Sequence, residues 1–161
     1  YALRLPAAPL VAAEAAGIRI DPLRLAEDFE RLAAAHDLVV VEGAGGLLVP
    51  IAPNFTYRDL ARRLSLPVIV VVGSRLGCVN HALLTLEAIE RERLRAHGYI
   101  VNCLEKGERA KTEAAANARL IARFTTQRSL GSFPFAEKKE LASNERLAEL
   151  AERHLEVGAI V

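Results

Sequence analysis

The chain has no methionine and no tryptophan, two cysteines, and only 5% aromatic residues among 161. Cys78 and Cys103 are too few and too scattered for a disulfide framework or a zinc site, and each lies beside an apolar segment, where a small core residue is expected. Such sparing use fits a reducing cytoplasm. Neither sign of charge dominates: 21 Lys and Arg stand against 20 Asp and Glu, so the overall balance recruits neither nucleic acid nor an anionic membrane. No apolar run reaches the ~20 residues a bilayer span needs, and no basic-then-apolar leader opens the chain, so neither a transmembrane helix nor a signal peptide is expected. The G-x-x-x-x-G-K-S/T loop of nucleotide hydrolases is absent, as are a Ser-His-Asp order, metal-spaced cysteines and H-E-x-x-H, which leaves hydrolase and zinc readings without residues. A chain without methionine that opens Tyr1-Ala2-Leu3 is expected to be a fragment.

What is present is an ordinary globular composition, 52% hydrophobic and 25% charged, long enough for a single domain over 1–161 with a sizeable core. From about residue 20 onward, strand-like and helix-like segments alternate, which argues for an α/β domain, three-layered, with a mostly parallel sheet. Asp21-Pro22 reads as an N-cap with proline in the first turn, opening a helix with Leu25, Phe29 and Leu32 that ends near His36. Thr56 to Asp59 has the spacing of a capping box. Val68 to Val72 predicts a strand buried on both faces, followed by a helix spaced by Leu83, Leu84, Leu86, Ala88 and Ile89. Tyr99 to Val101 predicts a third strand ending on Asn102. A helix from about Lys111 to Phe124, a short strand near Ser129 to Phe133 and a capped helix from Ser143 to Leu155 follow. Residues 1 to 20 predict an extended stretch around Pro6 to Leu10 and a short helix or turn near Ala12 to Ala16. His36, His97 and His154 are read as structural residues at helix ends. Lys106, Arg109 and Lys111 read as a solvated face.

The most informative stretch is Leu38-Val39-Val40-Val41-Glu42-Gly43-Ala44-Gly45-Gly46. Its apolar run predicts a buried strand, with Glu42 at the carboxyl end, where ligands of open α/β sheets bind and where an acid can reach a magnesium ion on phosphate oxygens. Gly43, Gly45 and Gly46 let backbone N–H groups approach such a ligand. The loop from Gly73 to Asn80 joins a strand end to a helix start, so its free N–H groups suit a carboxylate, although Asn80 could equally cap the helix. Asn102, at the end of the third strand, reads by itself as a turn residue, although its amide carries the donor and acceptor that an adenine edge requires.

The string VVVEGAGGLLVPI, with PVIVVVGSRLGCVNHALLT, GYIVN and GSFPF, resembles the dethiobiotin synthetases over most of the chain. The resemblance implies a P-loop NTPase-like fold and the closing of the ureido ring of dethiobiotin in biotin biosynthesis. In that reaction 7,8-diaminononanoate takes up carbon dioxide as a carbamate, ATP phosphorylates it, and the second amine closes the ring. It implies Mg2+ at Glu42 and nucleotide phosphates against Gly43, Ala44 and Gly45. The base and ribose fall to Asn102, Cys103, Pro134, Phe135 and Ala136, with Glu140 as the loosely matched acid. Leu76, Gly77, Val79 and Asn80 receive the substrate carboxylate across a homodimer interface. The family draws its phosphate loop and catalytic lysines from an amino-terminal βαβ unit that these residues do not contain, so 1–161 alone are expected to be inactive. Two other readings stay open: a related amide-forming synthetase of cobyrinate type, and a non-catalytic dimerisation remnant.

Overall fold

A computed structural model describes residues 1–160, and the chain divides into two compact units, Tyr1–Leu66 and Pro67–Val161.

In the first unit, α1 (Pro9–Ala15) and α2 (Pro22–Ala35) precede a short hairpin of β1 (Pro50–Ala52) and β2 (Phe55–Thr56), and α3 (Tyr57–Leu64) follows at once. The α2 boundaries are those the sequence predicts: Asp21 accepts a hydrogen bond from the Leu23 N–H at 2.9 Å, and His36 is the C-cap. The capping box also forms, with the Asp59 carboxylate accepting from the Thr56 N–H at 2.9 Å and from its hydroxyl at 2.7 Å. A small core gathers Ala13, Ile20, Ile51, Ala52 and Leu60. Asn54, at φ 57, turns the hairpin, a left-handed conformation that Asn tolerates.

The strand expected at Leu38 to Val41 does not form. These residues are irregular, and Leu38, Val40 and Val41 are 58%, 81% and 43% exposed. A strand exists only through hydrogen bonds to a neighbour, and among the described residues nothing pairs with this run.

The second unit carries the parallel sheet β3 (Val68–Ser74), β4 (Ala96–Cys103) and β5 (Ser129–Phe133), in that spatial order. Helices α4 (Cys78–Arg91) and α5 (Glu108–Phe124) provide the crossovers, so this is the α/β architecture with parallel strands that the alternation predicts. Its core joins Val72, Tyr99, Val101 and Cys103 of the sheet to Cys78, Ala82 and Leu86 of α4 and Ala114 and Ile121 of α5. Both cysteines are free and buried, as expected of small core residues.

Three expectations are corrected here. β3 is not covered on both faces, because Val71 is 64% exposed while Val72 faces the core. Leu84 points outward at 57% exposure, leaving Ala82, Leu86 and Ile89 as the packed face of α4. His97 lies within β4 rather than at a helix end, and its Nε2 meets the Ala159 carbonyl. The helix before it stops early because Arg93 adopts φ 53, with the Leu94 N–H bonded to the Ile89 carbonyl, a left-handed ending that arginine does not advertise.

Beyond β5 come α6 (Lys138–Leu141), α7 (Asn144–His154) and a 3-10 turn at Val157–Ala159. Gly131 has φ 116, and a Cβ there would stand 2.2 Å from the His154 carbonyl oxygen. Only glycine allows the backbone after α7 to close on β5, where Leu155 bridges Gly131 and the Glu156 N–H bonds the Leu130 carbonyl at 2.9 Å.

Candidate functional site

The carboxyl edge of the parallel sheet brings most of the second unit's candidate residues level with one another. Asn102 of β4 is in register with Gly73 of β3 on one side and Phe133 of β5 on the other, and Cys103 is in register with Ser74. Alternation sends the Cys103 side chain into the core, 6% exposed with its Sγ 3.3 Å from the Glu105 carbonyl. Cys103 is therefore available to a ligand through its backbone alone, whereas Asn102 is half-buried.

The loop after β3 is short and open. A Cβ on Gly73 would come within 2.9 Å of the tip of the exposed Leu104 side chain, which would have to move aside. Gly77, at φ 88, is the N-cap of α4, which corrects the cap reading of Asn80: Asn80 lies inside the first turn. The Cys78 N–H bonds the Arg75 carbonyl at 3.0 Å, while the N–H groups of Val79 and Asn80 find no backbone acceptor outside the helix among the described residues. Leu76 is fully exposed and Asn80 exposed. Free first-turn donors with a positive helix end suit a carboxylate.

Pro134, Phe135 and Ala136 follow β5 directly, and a cavity of about 370 Å³, reached by Phe135 but not by Pro134 or Ala136, is lined by Glu105, Lys106, Lys111, Phe135, Glu137 and Glu140. Lys106 and Glu137 form an ion pair across its rim. Hydrogen bonding to Lys106, and then to Lys139, holds the Glu137 carboxyl below the usual carboxylate range, and the same bond raises Lys106. One oxygen of Glu140 is engaged in the α6 capping box, accepting from the Glu137 N–H at 2.7 Å. The basic cluster is a solvated face, with Arg109 on Glu113 at 2.8 Å and Lys111 on Glu108 at 2.7 Å.

In the first unit, Glu42 is exposed and makes no hydrogen bond or ion pair among the described residues. Gly43, Ala44 and Gly45 donate no backbone hydrogen bond there, and Gly45 has φ 104. A Cβ on Gly43 would lie 3.4 Å from the Tyr57 ring. The turn rests on the start of α3, whose Tyr57 and Arg58 N–H groups bond the Val49 and Leu47 carbonyls at 3.2 and 2.8 Å, so that helix end is already satisfied. Among the described residues no group of three or more His, Cys, Asp or Glu could hold a metal. A lone free carboxylate still fits magnesium, which takes one or two protein acids and completes its shell with water and phosphate oxygens.

Two residues that the sequence reading passed over, Ser74 as an individual side chain and Asn117, meet in the second unit: the Asn117 amide donates to the Ser74 hydroxyl at 3.1 Å. The signal was a single Asn within the alanine run Ala114 to Ala118. Among the described residues no helix is long and apolar enough to cross a membrane.

The AAA domain family (AAA_26) matches residues 1–142. The chain is 43% identical over 150 residues to an ATP-dependent dethiobiotin synthetase of Aromatoleum aromaticum, covering 91% of this chain and 65% of that protein. It is 44% identical over 135 residues to the synthetase of the same name from Anaeromyxobacter dehalogenans, covering 84% and 60%. Against that of Akkermansia muciniphila the figures are 37% over 129 residues, 80% and 60%. The chain thus spans between 60% and 65% of the length of these relatives.

Proposed function

The chain belongs to the AAA domain family, matched over residues 1–142, and from that premise we propose that the whole protein is an ATP- and magnesium-dependent dethiobiotin synthase. It joins 7,8-diaminononanoate and carbon dioxide into the cyclic urea of dethiobiotin, with ATP converted to ADP and phosphate, in the cytoplasm and as a homodimer with the substrate site at its interface. Residues 1–161 are then the larger carboxyl-terminal part of one nucleotide-binding domain. The observation that carries the reading is the likeness to the ATP-dependent dethiobiotin synthetases along nearly the whole chain.

Glu42 holds magnesium, which when bound neutralises phosphate charge. The N–H groups of Gly43, Ala44 and Gly45 face the phosphates, consistent with their lack of backbone partners. Asn102 reads the base by donor and acceptor, the Cys103 backbone flanks it, and Pro134, Phe135 and Ala136 cover it. Glu140 has one carboxylate oxygen left for ribose or base. Leu76, Gly77, Val79 and Asn80 receive the substrate's tail carboxylate at the α4 start, which positions the diamine; phosphoryl transfer of this kind works by positioning and charge neutralisation.

The test is to supply the full-length protein with 7,8-diaminononanoate, bicarbonate, ATP and magnesium and to identify the product by mass. One dethiobiotin per phosphate released is expected, and none from residues 1–161 alone. Phosphate release with a cobyrinate-type diacid instead, or no magnesium-dependent ATP affinity at all, overturns the reading.

A further inference from the structure

Helix α5 turns a stripe of Ala110, Ala114, Ala118 and Ile121 toward the core. Asn117 stands on the same stripe, three residues after buried Ala114 and four before buried Ile121, where helical periodicity calls for an apolar side chain. It is half-buried, and Asn is a poorer helix former than the alanines around it. A residue that breaks both the packing pattern and the propensity needs a compensating partner. That partner is Ser74, 43 positions away, whose hydroxyl accepts from the Asn117 amide at 3.1 Å.

Ser74 is the last residue of β3 and the fixed root of the loop that follows. Its backbone is in register with Cys103, and the next firmly packed residue is Cys78, 4% exposed. Between them Arg75, Leu76 and Gly77 are exposed, so no packing holds the loop in place. Its conformation depends on how its two roots are held.

We propose that Asn117 is a positioning residue: by fixing the Ser74 side chain it sets the geometry of residues 75–80, the loop and the first turn of α4, and thereby the affinity for the substrate's carboxylate. This rests on the assignment of Leu76, Gly77, Val79 and Asn80 to that carboxylate made above. Asn117 touches neither substrate nor nucleotide, and its effect passes through Ser74.

The experiment uses the full-length protein with Asn117→Ala, Ser74→Ala and the double variant. Asn117→Ala favours the helix and leaves the fold intact, and Ser74→Ala removes the same bond from the other side. Each single variant is expected to raise the KM for 7,8-diaminononanoate about fivefold, as loss of one neutral hydrogen bond would, with kcat and the KM for ATP within about twofold. The double variant is expected to be no worse than either single one. Hydrogen exchange supplies a readout that needs no turnover: amides of residues 75–80 should exchange faster in all three variants while those of β4 do not change. Unchanged exchange at 75–80, additive effects in the double variant, or equal loss for both substrates overturns the proposal. A wild-type protein that closes no ring sinks the functional reading instead, and the exchange data then decide the tether alone.

Discussion

Leu38 to Val41 and Val68 to Val72 are close to interchangeable as strings, each an apolar, largely β-branched run that meets a glycine, the first after Glu42 and the second at once, yet one is irregular chain and the other is a strand. Val68 to Val72 has β4 in register beside it and α4 and α5 across one face, so its backbone is paired along its β4 side and its Val72 side chain is buried. Leu38 to Val41 has no such neighbour among the described residues, and its side chains stay in solvent. The difference teaches that β-branched apolar sequence confers the capacity for a strand, while pairing decides whether one exists.

The contrast can be broken most directly by hydrogen exchange on the chain. Amides of Tyr99 to Val101, in the central strand, should exchange about 1,000-fold or more slowly than an unprotected chain, and those of Val39 to Val41 within about tenfold of one. Equal protection would show that the two runs are in the same state. The next effect concerns function: Glu42→Gln in the full-length protein should lower kcat/KM for ring closure about 100-fold, with weakened magnesium dependence, by steady-state assay over a magnesium series. Full activity would remove Glu42 from the metal. Packing gives a smaller and paired effect. Val72→Ala, at 5% exposure, should cost about 2 kcal/mol in urea unfolding, against less than about 0.5 kcal/mol for Val40→Ala. Comparable losses would mean that Val40 is packed in solution.

The smallest effect lies at the capping box. Burial works against the Asp59 charge, but hydrogen bonds from the Thr56 hydroxyl and N–H, then Arg58, outweigh it and hold its carboxyl below the usual range. A depressed carboxyl contributes stability above its unfolded value and loses it as pH falls through the folded one. Stability should therefore decline from about pH 4 downward, and Asp59→Asn should flatten that decline while costing about 1 kcal/mol at neutral pH. An unaltered acid limb in thermal melts at several pH values would remove Asp59 from the account.

What the sequence makes legible are the features whose causes are local. Asp21-Pro22 and Thr56 to Asp59 announce helix starts through neighbours three residues away at most, and β4 and β5 appear where their apolar runs lie. The exposure of Leu38 to Val41 was illegible because pairing is decided by distant chain. The β1–β2 hairpin went unread although Pro53-Asn54 is a turn signal, because Pro50 and Ile51 read as the tail of the glycine turn. At the candidate site, the placement of Asn102 near the end of β4 and of the turn from β3 into α4 was readable from the pattern of strands and helices. The Asn117 to Ser74 bond was not, since only the packing of α5 over β3 brings them together.

The closure of Leu155 and Glu156 onto β5, permitted by Gly131, has a consequence for assembly. Strand edges with idle amides invite any passing extended segment to add on, the first step toward aggregates. Here the segment after α7 occupies that flank of β5, and its loss would leave the β5 rim of the sheet sticky.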